Sequence, residues 1–151
     1  MPSAQLTLRQ ATVADLDLLV PLFDAYRQFY RQPSDVGRAH RFLLERFEHN
    51  QSVISLALDE GVAVGFVQLY PSFSSGAMAR IFVLKDLFVA PASRCRGVGS
   101  ALLAAAAEYG RAVGALRLAL STETGNLVAQ ALYERAGWSR DQAFCVCQLS
   151  L

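Results

Sequence analysis

At 151 residues, 53% of them hydrophobic, the chain is long and apolar enough for one domain with a buried core, which excludes a disordered chain. Its 14 Lys and Arg stand against 13 Asp and Glu; so even a balance provides neither a general nucleic-acid surface nor an electrostatic membrane anchor. No apolar run approaches the roughly 20 residues of a membrane-spanning helix, and no basic-then-apolar leader is present.

The first predicted strand is residues 6–9, where leucines alternate with polar residues. Thr12 and Asp15 have the spacing of a reciprocal cap. Leu16, Leu19, Phe23, Tyr26 and Tyr30 then recur at helical intervals up to Pro33. Pro21 falls inside this helix and predicts a kink or a break into two. Ser34 is the predicted cap of a second helix, marked by Phe42, Leu43 and Phe47. Residues 53–58 and 62–70 read as strands joined by the turn Asp59-Glu60-Gly61, and residues 71–76 as a loop without regular pattern. A long strand over 80–89 is almost continuously apolar, as expected when both faces are covered. An alanine-rich helix over 100–113 closes at Gly114. A strand over 116–120, a helix over 127–135 ended by Gly137 and a terminal strand over 144–149 complete the order. This succession predicts a single mixed α/β sheet, and the length predicts one domain over 1–151.

The three cysteines do not make a disulfide framework. Cys145 and Cys147 are one strand period apart and project on one face rather than toward each other. His40 and His49 have no cysteine near them in sequence, so too few ligands gather for a metal, and none is expected. A reducing cytoplasm is the expected compartment.

One stretch carries more chemistry than the rest. The apolar strand Leu87-Phe88-Val89 runs to Pro91, the loop Arg94-Cys95-Arg96-Gly97-Val98-Gly99 follows, and the predicted helix begins at Ser100. Backbone N–H groups, a helix N-terminus and two arginines gather there around a point suited to a phosphate or pyrophosphate. Gly97 and Gly99 let the main chain approach such a ligand without a Cβ in the way. A Walker-type loop would continue with Lys-Ser or Lys-Thr, where Gly99 is followed by Ser100-Ala101. A dinucleotide fingerprint would carry a third glycine, where Leu102 stands. What remains, Arg-x-x-Gly-x-Gly, resembles the coenzyme A pyrophosphate loop of the GNAT superfamily of N-acetyltransferases. A second segment, Asn126-Leu127-Val128-Ala129-Gln130-Ala131-Leu132-Tyr133-Glu134-Arg135-Ala136-Gly137-Trp138, is similar to the family's Asn-x-x-Ala-x-x-Leu-Tyr-x-x-x-Gly-Phe signature, with Trp138 in place of phenylalanine. The resemblance covers residues 78–140 and, more loosely, the part before them.

The resemblance implies an α/β fold with a mostly antiparallel central sheet flanked by helices. It also implies direct transfer of the acetyl group of acetyl-CoA to an amine, without a covalent enzyme intermediate. Strand residues Leu87, Phe88 and Val89 would meet the pantetheine arm, with the main-chain groups of Leu87 and Val89 pairing as though it were another strand. The amides of Cys95, Arg96, Gly97, Val98, Gly99 and Ser100, with Arg94 beside them, would hold the pyrophosphate. Asn126 would cap its helix and touch the coenzyme. Tyr133 would be the general acid toward the departing thiolate, since a phenol near pKa 10 stays protonated at neutral pH. Cys95 would not be a nucleophile.

The nearest motif match is to small-molecule acetyltransferases of the diamine and polyamine type, whose strand reads Leu-Glu-Asp-Phe-Phe-Val. Here Leu84-Lys85-Asp86-Leu87-Phe88-Val89 keeps the aspartate but has Lys85 for the glutamate, and a lysine at the entrance repels a polycation. Asp86 would take the amine proton or bind the ammonium; a strand-end ion pair is its structural alternative. Tyr26, Tyr30, Tyr70 and Phe73 are candidates for the acceptor pocket, although Tyr26 and Tyr30, one helical turn apart, also fit a packed core. The expected acceptor is a small primary amine, with no nucleic-acid or membrane partner. A protein or peptide acceptor and a non-catalytic acetyl-CoA sensor are the alternatives. A homodimer is expected from the final strand and the aromatic surfaces, as in relatives.

Overall fold

The computed structural model describes residues 5–151, which divide into two compact units, one ending at Ser121 and one formed by Thr122–Leu151. The first holds a five-stranded sheet of order β1-β2-β3-β4-β5, with β1 Leu6–Gln10, β2 Val53–Asp59, β3 Val62–Ser74, β4 Ala79–Val89 and β5 Leu118–Leu120. Neighbours are antiparallel from β1 to β4, and only β4 and β5 run parallel. Helices α1 Leu16–Phe29 and α2 Val36–Glu48 cover one face, and α3 Val98–Ala112 covers the other.

The alternation of side chains decides what each face receives. Phe66 and Phe88 pair across β3 and β4 and join Leu19, Phe23, Leu43, Ile54 and Leu56 in the core beneath α1 and α2. The intervening positions face α3, where Val98, Leu102, Leu103 and Ala106 are buried. Gly65 marks the closest approach: a Cβ there would stand 2.8 Å from the Phe88 carbonyl oxygen and 3.1 Å from Leu102. The sequence therefore spends a glycine inside a strand so that α3 can lie flat on the sheet.

The Thr12–Asp15 cap forms as expected, the Thr12 N–H donating to Asp15 at 2.8 Å; Arg9 adds two bonds of 2.8 Å to the same carboxylate. The expected break at Pro21 does not occur, and α1 is one helix. Pro21 and Asp17, whose carbonyl loses its bond, are both exposed, so water can replace the missing donor. Nor is Ser34 the cap of α2. Asp35 takes that place, accepting the Arg38 N–H at 3.0 Å, while the Ser34 hydroxyl donates to buried Asp24 at 2.7 Å.

Residues 71–74, expected in a loop, continue β3. Pro71 lies opposite Phe82, whose N–H points the other way, to the Arg117 carbonyl. The pair is thus a non-hydrogen-bonded one, and the proline nitrogen faces the side where β2 has already ended. The turn after Asp59 closes through Glu60 and Gly61, both at positive φ, as a two-residue hairpin requires.

In the second unit, α4 Leu127–Arg135 has the expected bounds. The Asn126 side chain accepts the Ala129 N–H at 3.2 Å, and Gly137 at φ 94° ends the helix. The terminal strand expected over 144–149 does not form: these residues are irregular, with Phe144, Val146 and Leu149 about four-fifths exposed. Alternation alone makes no strand, because a strand's main-chain groups need a neighbour's ladder, and α4 is the only regular element of this unit.

Candidate active site

Strand β4 changes partners midway. Leu84 pairs with Leu69 and Asp86 with Gln68, so Lys85 has no opposite residue and forms a bulge. Before it, Arg80 and Phe82 turn their main-chain groups toward β5, bonding with Leu116 and Arg117. Beyond it the parity reverses. Ala90 donates to the Val64 carbonyl at 2.8 Å, which makes Leu87 and Val89 the residues whose N–H and C=O point away from β3. The ladder with β5 has ended by then, at Leu84 opposite Leu120. A hydrogen-bonding edge of extended chain results, carried by Leu87 and by the N–H of Val89, whose carbonyl accepts from Arg94.

The edge leads into the glycine-bearing loop. Cys95 (φ 59°) and Gly97 (φ 82°) are left-handed, and α3 starts at Val98, two residues earlier than expected. The first intrahelical bond is Ala101 N–H to the Gly97 carbonyl at 3.0 Å. The amides of Val98, Gly99 and Ser100 precede it and have no intrahelical acceptor. No acidic residue stands in this turn and no side chain caps it. These features fit a pyrophosphate at the positive end of the helix. The arginines contribute less directly than expected. Arg94 turns back, its Nε donating to the Val89 carbonyl at 2.9 Å while its guanidinium lies over Phe29 and Phe88. Arg96 stands 3.5 Å from Asp59.

Asp86 lies one residue past the bulge and shares the α1–α2 face with Gln68 and Tyr70. The Gln68 amide donates to it at 2.6 Å and accepts the Ser52 hydroxyl at 2.8 Å. Since Gln68 is fully buried, its amide is fixed and aims the carboxylate. Burial pushes the Asp86 pKa above the ordinary carboxylate value; Gln68, Tyr26 and the Lys85 charge only partly oppose this. The Tyr70 phenol is pushed up to about 12, by burial first and by the Asp86 charge second, so it stays protonated. The Tyr26 hydroxyl reaches the Lys85 carbonyl at 3.3 Å, tying α1 to the bulge.

A cavity of about 510 Å³ opens here, lined among others by Phe23, Tyr26, Arg38, Tyr70, Lys85 and Asp86. The structure thus brings Tyr26, Tyr70 and Asp86 together. Tyr26 also packs edge-on to Phe66 and Phe88, so it serves cavity and core at once. Tyr30 stands edge-on to Tyr26 at 5.1 Å. Phe73 lies outside the cavity lining, two-thirds exposed beneath the Arg80 guanidinium. In the second unit, the Tyr133 ring is 6.1 Å from that of Trp138, which donates its N–H to the Tyr133 carbonyl. Gln68, Ser52 and Arg38 were not among the residues expected at the site. The signal for Gln68 was legible: a lone amide within Val67-Gln68-Leu69, at strand period with Tyr70. Among the described residues, no cluster of three His, Cys, Asp or Glu could hold a metal, and no helix is long and apolar enough to cross a membrane.

Residues 19–138 match the model of the acetyltransferase (GNAT) family. The chain is 47% identical over 139 residues to a protein of Bacillus subtilis (strain 168) named uncharacterized N-acetyltransferase YhfO, covering 92% of this chain and 93% of that one. A crystal structure of a probable acetyltransferase is 41% identical, with a TM-score of 0.92 over 96% of this chain and 97% of its own. The fold is also that of the aminoglycoside N-acetyltransferase AAC(6')-Iy, solved in complex with the bisubstrate analog CoA-S-monomethyl-acetylneamine. There the TM-score is 0.80 at 22% identity, over 98% of this chain and 100% of that one.

Proposed function

The chain belongs to the GNAT family and is an acetyl-CoA-dependent N-acetyltransferase; we propose that its acceptor is the primary amine of a small molecule, acetylated directly. Bound acetyl-CoA supplies the acetyl group as a thioester, which passes from sulfur to nitrogen. The amine gives up a proton and the sulfur receives one. The observation that carries the small-amine reading is the cavity itself: about 510 Å³, with the half-buried carboxylate of Asp86 on its wall.

Asp86 accepts the amine proton. Its raised pKa makes it a stronger base than an exposed carboxylate. Gln68, braced by Ser52, holds it in one orientation. Leu87 and Val89 present their edge to the pantetheine arm, Arg94 giving up the Val89 carbonyl, and the amides of Cys95 to Ser100 receive the pyrophosphate. Asn126 caps α4 and meets the coenzyme. Tyr133 donates the proton to sulfur, a role assigned from its position in the Asn-x-x-Ala-x-x-Leu-Tyr pattern. The same reading makes residues 1–151 one catalytic domain. It also extends to a homodimer, supported by the exposed apolar residues over 144–149, and to a reducing cytoplasm, supported by three free cysteines.

Free-thiol release from acetyl-CoA, measured against amines and peptide N-termini, tests the proposal. Release that depends on a small amine is the expected result. Release with peptides alone, or acetyl-CoA binding without release for any acceptor, overturns it.

A further inference from the structure

Building on the small-amine reading, we propose that the acceptor carries a negatively charged group, a carboxylate or a phosphate, in addition to its amine, and that Arg38 and Lys85 recognise that group. Three cations line the cavity, Arg27, Arg38 and Lys85, against the single carboxylate of Asp86. Arg27 is partly committed: it donates to the Pro33 carbonyl at 3.0 Å, and its charge helps to hold the Asp24 carboxyl below its usual range. The Arg38 and Lys85 side chains make no hydrogen bond among the described residues, although the Lys85 charge also acts on Asp86. Among the described residues, no carboxylate lies within ion-pair distance of either side chain, and Arg38 is tied only through its main-chain N–H, to Asp35. A further cation, Arg46, acts electrostatically on Tyr70 at the cavity wall while pairing with Glu45 at 3.1 Å.

One carboxylate and two exposed cations without a close ion pair around one cavity fit a ligand of opposite polarity. Its ammonium meets Asp86, and its anionic group meets Arg38 and Lys85 through charge-assisted hydrogen bonds. Between them, Phe23, Phe42 and Tyr26 offer an aromatic wall to an apolar stem. A diamine instead brings a second positive charge against the cations. A plain monoamine offers neither of them a partner. A carboxylate and a phosphate share the recognising chemistry, so the two are separated by experiment.

The test pairs each anion-bearing amine with its uncharged counterpart: phenylalanine with phenethylamine, β-alanine with propylamine, and phosphoethanolamine with ethanolamine. Acetylation is followed by thiol release, and binding to the CoA-saturated protein by calorimetry. The charged member of at least one pair is expected to have a kcat/KM or affinity higher by about tenfold or more. Which pair responds separates carboxylate from phosphate. Arg38→Gln should erase that preference through KM or Kd, leaving the KM for acetyl-CoA in place. Equal or better use of the uncharged amines, or an Arg38→Gln protein that keeps its preference, overturns the inference while leaving the small-amine reading intact. Selective binding of the charged amines with no acetylation of any amine supports the anion site and sinks the small-amine reading instead.

Discussion

The proposed donor edge and the proposed acceptor cavity adjoin on one strand, yet they are built from different material. The edge uses main-chain groups of contiguous residues, from Leu87 through the loop to Ser100, in conformations set by a bulge, a left-handed glycine and a helix end. The cavity uses side chains from α1, α2, β3 and β4, spread from Phe23 to Asp86. A main-chain site is fixed by backbone geometry and keeps one ligand while side chains vary. A side-chain site changes its ligand with each substitution. The difference lets a shared donor be combined with an acceptor particular to this chain.

Substitutions should separate the two. Asp86→Asn is expected to have the largest effect, lowering kcat by about 10²–10⁴-fold with no change in acetyl-CoA affinity by calorimetry. It should also remove the acidic limb of the pH–rate profile. Wild-type activity should rise with pH through the Asp86 pKa, a limb displaced above the ordinary carboxylate range because burial raises that pKa. Tyr133→Phe should lower turnover by about 10²-fold, far more than it weakens acetyl-CoA binding; unchanged turnover removes Tyr133 from the chemistry.

Gly97→Val strikes the donor side alone, forcing a β-branched residue to φ 82°. Acetyl-CoA affinity should fall by about tenfold while the KM for the amine stays. A change in the amine KM instead would break the comparison. Gln68→Leu should lower kcat less than Asp86→Asn does, and should move the acidic limb to higher pH, since the lost hydrogen bond favoured the ionised carboxylate. The smallest effect concerns the scaffold of the cavity. Asp24 is held below the usual range by the Ser34 hydroxyl and then the Asp35 N–H. Its contribution to stability is present above the unfolded pKa of about 3.9 and is lost as pH falls through its lower folded value. Asp24→Asn should therefore have a lower Tm at pH 7 and lose less Tm than wild type on acidification, as measured by thermal melts.

The same contrast explains what the sequence disclosed. The donor loop was legible because its glycines and the helix start are neighbours in the chain, and α4 because Asn126 and Gly137 punctuate it. Asp86 and Tyr70 were legible as isolated candidates. Their meeting with Gln68 depends on the β3–β4 register and on the bulge at Lys85, which no local pattern announces. Pro71 concealed the far end of β3, since its acceptability rests on where another strand stops. Over 144–149 the error ran the other way: a good strand pattern found no ladder to join.

The unpaired residue at Lys85 has a consequence for how this chain can diverge. Removing that residue would return β4 to uniform alternation, so that either the segment meeting β5 or the segment bearing Asp86, Leu87 and Val89 would show its wrong side. Amino-acid replacements along β4 alter one contact at a time, whereas a one-codon deletion would invert several together. Relatives of different specificity can therefore arise by exchange of residues along this strand, but its length between Leu84 and Val89 is closed to change.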